Sequence, residues 1–372
     1  MKRLIKGARV WNEDRTFSPS CAVLIEDERI AAIGSLCDEI TADEVIDASG
    51  LTLLPGLVDV HTHGRIGFDF CDASAEQMRQ MKKDYERLGV TSVMATLASA
   101  PMEDWHRAIA NAEEAGFAGI HFEGRYLNPS KKGAHAIELL AKPSAEELQD
   151  LLKRVSLPCH VSAALELDED GSFAACALEN GATLGIGHTA ATAKQAELAL
   201  ARGATSFTHL FNAMPPLHHR DGGAVSVALC GGGYGELIAD GVHVCPEMIR
   251  LAYRCLGKDK TVLITDSMSG TGCPDGNYSI AGMPVIVKDG RALTEDGVIA
   301  GSTLNLWDGV KNLMEFAKIP MEDAVACATV NPARMVGIDQ EVGSIKEGKY
   351  ADLLLVNAGG EICRVIKRGA DV

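Results

Sequence analysis

From residue 52 to residue 265 the sequence repeats one alternation: a short apolar run, a stretch of helical periodicity, then another apolar run. Such a pattern builds a parallel sheet with helices packed outside it, because successive parallel strands need a crossover that a helix supplies. The runs are Leu53–Val60, Thr91–Thr96, Gly119–Glu123, His160–Ala163, Thr183–Gly187, Thr205–Thr208, Glu236–Ala239 and Thr261–Thr265. Helices are expected at Ala75–Leu88, Glu103–Ala115, Ala145–Arg154, Ala193–Arg202 and Pro246–Leu256, with Thr303–Phe316 and Met321–Ala328 closing the structure. Eight strands close a TIM-type (β/α)8 barrel, whose sites form at the C-terminal strand ends. A doubly wound open sheet is the competing architecture. It lacks support, because Gly231-Gly-Gly-Tyr-Gly has the wrong spacing for a dinucleotide-binding turn.

The two ends of the chain read differently. Leu4–Val10, Ala22–Glu26 and Arg29–Gly34 are candidate strands, with Asp27-Glu28 as a hairpin turn, and Ala351–Val356 and Glu361–Lys367 have the same character. The expected organisation is α/β: a barrel over residues 53–345, and a small β-sandwich domain from residues 1–52 plus 346–372. Residues 273–300 interrupt the barrel pattern with a hairpin-like insert, Tyr278 to Val287 followed by Asp289-Gly290.

The strand ends carry the chemistry. The first run, in Leu-Leu-Pro-Gly-Leu-Val-Asp-Val-His-Thr-His-Gly, ends in His61 and His63, and on a strand positions i and i+2 face the same side. Two neutral imidazoles aimed at one point are half of a metal site. The third run ends in Glu123, the fifth in His188, the sixth in His209 and the eighth in Asp266, while His243 follows the seventh in Ala-Asp-Gly-Val-His. Imidazoles and carboxylates gathered on one rim suit zinc or a similar divalent ion with open positions. Asp266 is the candidate to move a proton beside it. Alone, Asp266 could equally cap a turn. His121 and His160 precede or begin strands and read as structural, and His106 and His218 receive no role.

Composition narrows the partners. A formal charge of −16 argues against nucleic acid, though not against a small phosphorylated substrate. No run is long enough to span a membrane, and the basic N-terminus is not followed by the apolar core of a signal peptide. The 11 cysteines, among them Cys21, Cys37, Cys71, Cys159 and Cys176, form no C-x-x-C pair, which favours reduced thiols in a cytoplasm.

Taken in order, His-x-His-Gly, His-Phe-Glu-Gly, Lys-Lys-Gly-Ala-His, Gly-His-Thr-Ala-Ala-Thr, Thr-His-Leu-Phe-Asn-Ala-Met, Ala-Asp-Gly-Val-His, Thr-Asp and Ala-Gly-Ser resemble the N-acetylglucosamine-6-phosphate deacetylases of the amidohydrolase superfamily. The resemblance runs from Pro55 through Asn331-Pro-Ala-Arg. It implies a TIM-like barrel with a terminal β-sandwich, a homodimer, and one or two divalent ions, zinc first with iron or another ion as alternatives. By the same resemblance Glu123, His188 and His209 are the principal metal ligands, His61 and His63 belong to a second ion, and Asp266 is the catalytic acid/base. Ala134, His135, Asp240 and His243 fall in segments that contact the sugar and its acetamido carbonyl. Asn212, Ala213 and Arg220 match phosphate-binding positions, and Ile299, Ala300, Gly301 and Ser302 a loop lining the pocket.

The sequence departs from the family pattern at three places: Arg125 stands where proline is usual, Ala163-Ala-Leu-Glu166 replaces Ala-Pro-Glu, and Arg65 occupies a loop of small residues. Two added rim arginines are expected to reshape substrate selection. Other readings are the galactosamine epimer, a cyclic-amide hydrolase or deaminase, a closed structural zinc site, or a catalytically dead barrel used in assembly. Strand four offers no lysine for the carbamylated bridge of many cyclic-amide enzymes, and no cysteine lies among the motifs.

Overall fold

A computed structural model describes residues 1–34 and 41–372; Cys37 lies outside the described residues. The barrel strands are β1 (Leu57–Thr62), β2 (Val90–Leu97), β3 (Gly119–Glu123), β4 (Cys159–Ala163), β5 (Thr183–Ile186), β6 (Ser206–Phe207), β7 (Tyr234–Ile238) and β8 (Thr261–Ile264). They lie side by side in sequence order, each parallel to the next. The circle closes where the Asp266 N–H donates to the His61 carbonyl (2.9 Å) and the His63 N–H to the Ser267 carbonyl (2.7 Å). Those two bonds join four residues of the rim, so barrel closure and site assembly are one event.

Alternation along the strands decides which side chains look inward. On β3, Ile120 and Phe122 pack outward into the helix layer, Phe122 against Trp105 with ring centroids 5.1 Å apart. His121 and Glu123 take the opposite face. His121 is held between Thr96 Oγ1 (3.1 Å) and Ser162 Oγ (2.8 Å), and Ser162 bonds Thr208 Oγ1 (2.6 Å). Burial, then the neighbouring His61 and His160, keep His121 well below the ordinary imidazole range, so it fills the barrel as a neutral group. His160, paired with Thr183 Oγ1 at 2.8 Å, is lowered to about 4 chiefly by burial. Both histidines are structural, as the sequence suggests.

The outer helices follow their periodicity. Ala75–Arg87 starts at Ser74, whose side chain and that of Gln77 form a capping box, and it buries Met78, Met81 and Tyr85. Three helices had no clear sequence signal: Ser172–Glu179, Gly223–Leu229 and Val330–Met335. They are short, and several small or apolar residues in each are buried, so no polar face marks a period. The insert is a three-stranded antiparallel sheet, Gly276–Ile280, Met283–Lys288 and Arg291–Leu293.

One expected strand divides in two. Thr52–Pro55 belongs to the terminal sheet, pairing with Leu353–Val356, and β1 begins only at Leu57. Pro55 has no N–H to continue a ladder. Gly56 passes so close to Thr91 that an added Cβ would lie 2.1 Å from its Oγ1. The terminal sheet contains both ends of the chain: Lys2–Trp11, Phe17–Glu26, Arg29–Gly34, Glu44–Asp47, Thr52–Pro55, Leu353–Val356, Ile362–Lys367 and Ala370–Asp371. It rolls over one core of Ile5, Val23, Ile25, Leu53, Leu353 and Ile366, while Leu54 and Leu354 face the barrel side. Buried Arg3 fastens the roll, donating to the Gly369 carbonyl (2.7 Å), Asp371 (2.7 Å) and Glu44 (2.8 Å).

Phe122→Ala should cost about 3–5 kcal/mol in denaturant unfolding, through the cavity left against Trp105. Metal capacity should be kept, because Phe122 points away from the neighbouring Glu123.

Candidate metal centre and active-site cavity

The sequence places six ionisable residues at strand ends, and the structure gathers them around one carboxylate. Glu123 Oε2 lies 3.2 Å from His61 Nε2 and 3.0 Å from His63 Nε2, and Asp266 Oδ1 is 3.2 Å from that same His63 nitrogen. On its other side, Glu123 Oε1 lies 2.8 Å from His209 Nε2 and 3.3 Å from His188 Nε2. Glu123 therefore stands between two half-sites, one with His61, His63 and Asp266, the other with His188 and His209. All six are buried.

The second ring nitrogens decide how these histidines are used. His188 Nδ1 lies 2.7 Å from the Lys131 carbonyl, and His61 Nδ1 lies 3.0 Å from Glu236 Oε2. An acceptor at Nδ1 places the proton there and leaves the Nε2 lone pair for an ion. His61 Nε2 is buried without a hydrogen-bond partner, as a metal-facing nitrogen would be. The ligand atoms of His61, His63, Glu123 and Asp266 all lie within 4.8 Å of one another. Mixed imidazole and carboxylate donors at this spacing fit a divalent ion.

Electrostatics agree. Burial opposes charge on His61, yet the Glu123 and Asp266 carboxylates outweigh it and push the imidazole well above its ordinary value. His63 is similarly disfavoured by burial, but its bonds to Asp266 and Glu123 raise it to about 9. Burial would raise Asp266; His61 and His63 instead lower it to about 2, and Glu123 is likewise held well below the carboxylate range. Asp266 is ionised at neutral pH, as a proton acceptor must be.

A cavity of about 590 Å³ opens over the centre. Of the sequence candidates, Ala134, His135, Asn212, Ala213, His243, Ile299, Ala300 and Gly301 line it. Gly301 is required: at φ +68 an added Cβ would meet the Asp266 carbonyl at 3.1 Å. Asp240 sits behind His243, 2.7 Å from its Nδ1. Ser302 lies beneath Asp266, its N–H donating to the Asp266 carbonyl (2.6 Å) and its Oγ to that of Thr265 (2.5 Å). Arg220 is exposed, with Nη1 2.7 Å from His219 Nε2, and does not line the cavity of its own chain. His135 has Nδ1 against Ser99, 2.9 Å from its Oγ and 3.3 Å from its backbone N–H. That N–H needs an acceptor, so the imidazole proton sits on Nε2. Burial, then His188, lower His135 to about 3 and keep it neutral.

The two rim arginines do not reshape the pocket. Arg125 forms a two-pronged pair with Glu147 at 2.9 and 3.0 Å, and Arg65 is buried against Asp84 at 2.7 Å with its guanidinium over the Tyr85 ring. Each carries its own counter-ion and neither lines the cavity. The altered fourth-strand segment has a fastening role: Glu166 accepts from Asn128 (2.9 Å), Thr189 (2.6 Å) and the Ala190 N–H (2.7 Å), tying three rim loops together. Sequence reading missed Glu236, Ser99 and the cavity-lining Lys131, Lys132 and Asp296. Glu236 left one signal, a lone acid within the apolar run of β7.

An amidohydrolase family model matches residues 52–372. The chain belongs to the amidohydrolase family. An N-acetylglucosamine-6-phosphate deacetylase from Vibrio furnissii is 35% identical, covering 99% of this chain and 93% of the relative. An N-acetylgalactosamine-6-phosphate deacetylase from Escherichia coli O157:H7 is 33% identical over 99% of each chain. Among solved structures, an N-acetyl-D-glucosamine-6-phosphate deacetylase mutant from Mycobacterium smegmatis, in complex with N-acetyl-D-glucosamine-6-phosphate, superposes with a TM-score of 0.92 at 30% identity, covering 100% of this chain and 99% of that one. This amidohydrolase is thus a hydrolytic enzyme on a TIM-type barrel. Among the described residues no helix is long and apolar enough to cross a membrane.

In the metal-free protein, the stabilisation from charged His63 is complete below about pH 6.5, the ordinary imidazole value, and is lost as pH rises through about 9. Metal-free Tm should fall across that window. Ion binding must displace those protons, so apparent affinity should rise with pH over the same range. Calorimetry in buffers of different ionisation enthalpy should show proton release; none would contradict the assignment.

Proposed function

We propose that this amidohydrolase hydrolyses the acetamide of N-acetylglucosamine 6-phosphate, releasing acetate and glucosamine 6-phosphate. The observation that carries the reading is an ionised Asp266 on the wall of a sugar-sized cavity, 3.2 Å from His63 and beside a carboxylate shared by four histidines. The glucosamine epimer follows the Vibrio relative and the substrate complex of the mycobacterial one.

Glu123, His188 and His209 would hold one divalent ion, zinc by preference, and His61 and His63 with Glu123 a second. Such an ion supplies Lewis acidity, acidifying water and polarising a carbonyl. The chain's own groups do the rest. Asp266 takes the proton of the attacking water and returns it to the amine nitrogen as the C–N bond breaks. His135, neutral with its proton on Nε2, donates to the carbonyl oxygen as negative charge develops. His243, fixed by Asp240, orients the sugar. Asn212 and Ala213 meet the phosphate end, and the exposed Arg220 supplies a guanidinium to the neighbouring subunit's cavity, which makes the working unit a homodimer.

In this reading residues 56–345 form the catalytic unit, three residues later than the boundary at 53 expected from the sequence, and residues 1–55 with 346–372 its β support. Ten unpaired cysteines among the described residues suit a reducing cytoplasm.

Acetate release should depend on added metal and on the 6-phosphate, with the galactosamine epimer the poorer substrate. Asp266→Asn should fold normally and lose about 10²–10⁴-fold in kcat. A near-normal rate would remove Asp266 from the mechanism. Arg220→Ala should raise KM for the phosphorylated sugar. Mixed with Asp266→Asn subunits and reassembled, it should regain activity, because each mixed dimer then contains one intact site; no recovery would place Arg220 in its own chain's site.

A further inference from the structure

Glu236 lies inside β7 with no exposed surface, beneath the metal centre rather than in it. A carboxylate there is costly unless hydrogen bonds repay its desolvation. Both of its bonds run to the centre, and both end on the same oxygen. Oε2 accepts from His61 Nδ1 at 3.0 Å and from the His209 backbone N–H at 3.2 Å. His61 belongs to one half-site and His209 to the other. The second oxygen, Oε1, has no hydrogen-bond partner and faces His160 Nε2 at 3.7 Å.

We infer that Glu236 is the positioning residue of the two-ion centre: one oxygen fixes a ligand in each half-site. The inference rests on reading His61 and His63 as ligands of a second ion. At His61 the bond selects the tautomer. With the proton on Nδ1, Nε2 has a lone pair to give; the opposite tautomer would point an N–H at the ion and abolish coordination. At His209 the bond holds the backbone. His209 adopts φ +29, a conformation disfavoured for a residue with a Cβ, and its amide is held by Glu236 while its Nε2 reaches Glu123. Without Glu236 the His61 ring turns freely between tautomers, and the turn at the end of β6 loses an acceptor.

Glutamine can imitate part of this. Its amide oxygen, placed as Oε2, accepts both N–H groups, and its NH2 faces the unpartnered His160 Nε2. Alanine can do neither. A role in folding alone would therefore not separate the two substitutions by ion binding once both are folded.

The test is cobalt(II) titration of chelator-treated full-length protein, following visible absorption and competition with a chromogenic chelator, with circular dichroism to confirm the fold. The wild type should take two ions per chain. Glu236→Ala should weaken the lower-affinity step by about 10–100-fold, and Glu236→Gln should restore most of the loss. Long-range 1H–15N spectra of zinc-loaded, histidine-labelled wild type provide a readout that needs no variant: His61 should carry its proton on Nδ1. Two ions bound by Glu236→Ala with wild-type affinities would overturn the positioning role and leave the two-ion centre intact, as would a His61 proton found on Nε2. A wild type that binds only one ion would instead overturn the second half-site itself, and the inference with it.

Discussion

The active end of this barrel depends on one buried negative charge. Glu123 is taken out of water, which on its own would cost several kcal/mol, and four histidines converge on its two oxygens. Asp266, the other carboxylate of the cluster, lies against only His61 and His63. Without ions the cluster is held by protons, with raised imidazoles around lowered carboxylates; the same donors have the spacing to hold a divalent ion. The geometry that attracts a proton here is also one that attracts a cation.

Placing those donors demands backbone strain. His188, His209 and Asp266 all have positive φ, at +46, +29 and +50. Each stands where a strand stops and its loop turns away, and such conformations cost of order 1–3 kcal/mol per residue. The surroundings hold each one. The His188 ring is fixed by the Lys131 carbonyl, Glu236 accepts the His209 N–H, and the Asp266 N–H closes the barrel on His61. The strain aims the side chains across the barrel mouth instead of along the strand faces.

Much of this was readable in the sequence because periodicity and strand-end chemistry are local. The eight runs became eight strands in order, and the six donors at their ends met at one point. What was not readable was pairing between distant residues. Arg65 and Arg125 read as free cations near the rim because nothing in the sequence shows that Asp84 and Glu147 lie beside them. Glu236 read as one more strand residue because its partners, His61 and His209, are far away in the chain. Leu53–Val60 read as one strand because its apolar run is continuous, whereas the break at Pro55-Gly56 is set by which sheet each half can join. Arg220 showed its charge in the sequence, but its distance from its own cavity appeared only in the fold.

The rolled terminal sheet has a consequence for how the molecule is made. Thr52–Pro55 is synthesised long before its antiparallel partner Leu353–Val356. Arg3 likewise waits for Gly369 and Asp371 before its charge is neutralised at that end. The strand feeding β1 therefore keeps an unpaired edge until that partner is made, and such edges recruit other chains. Arrival of Leu353–Val356, rather than growth of the barrel, is the step that covers this edge.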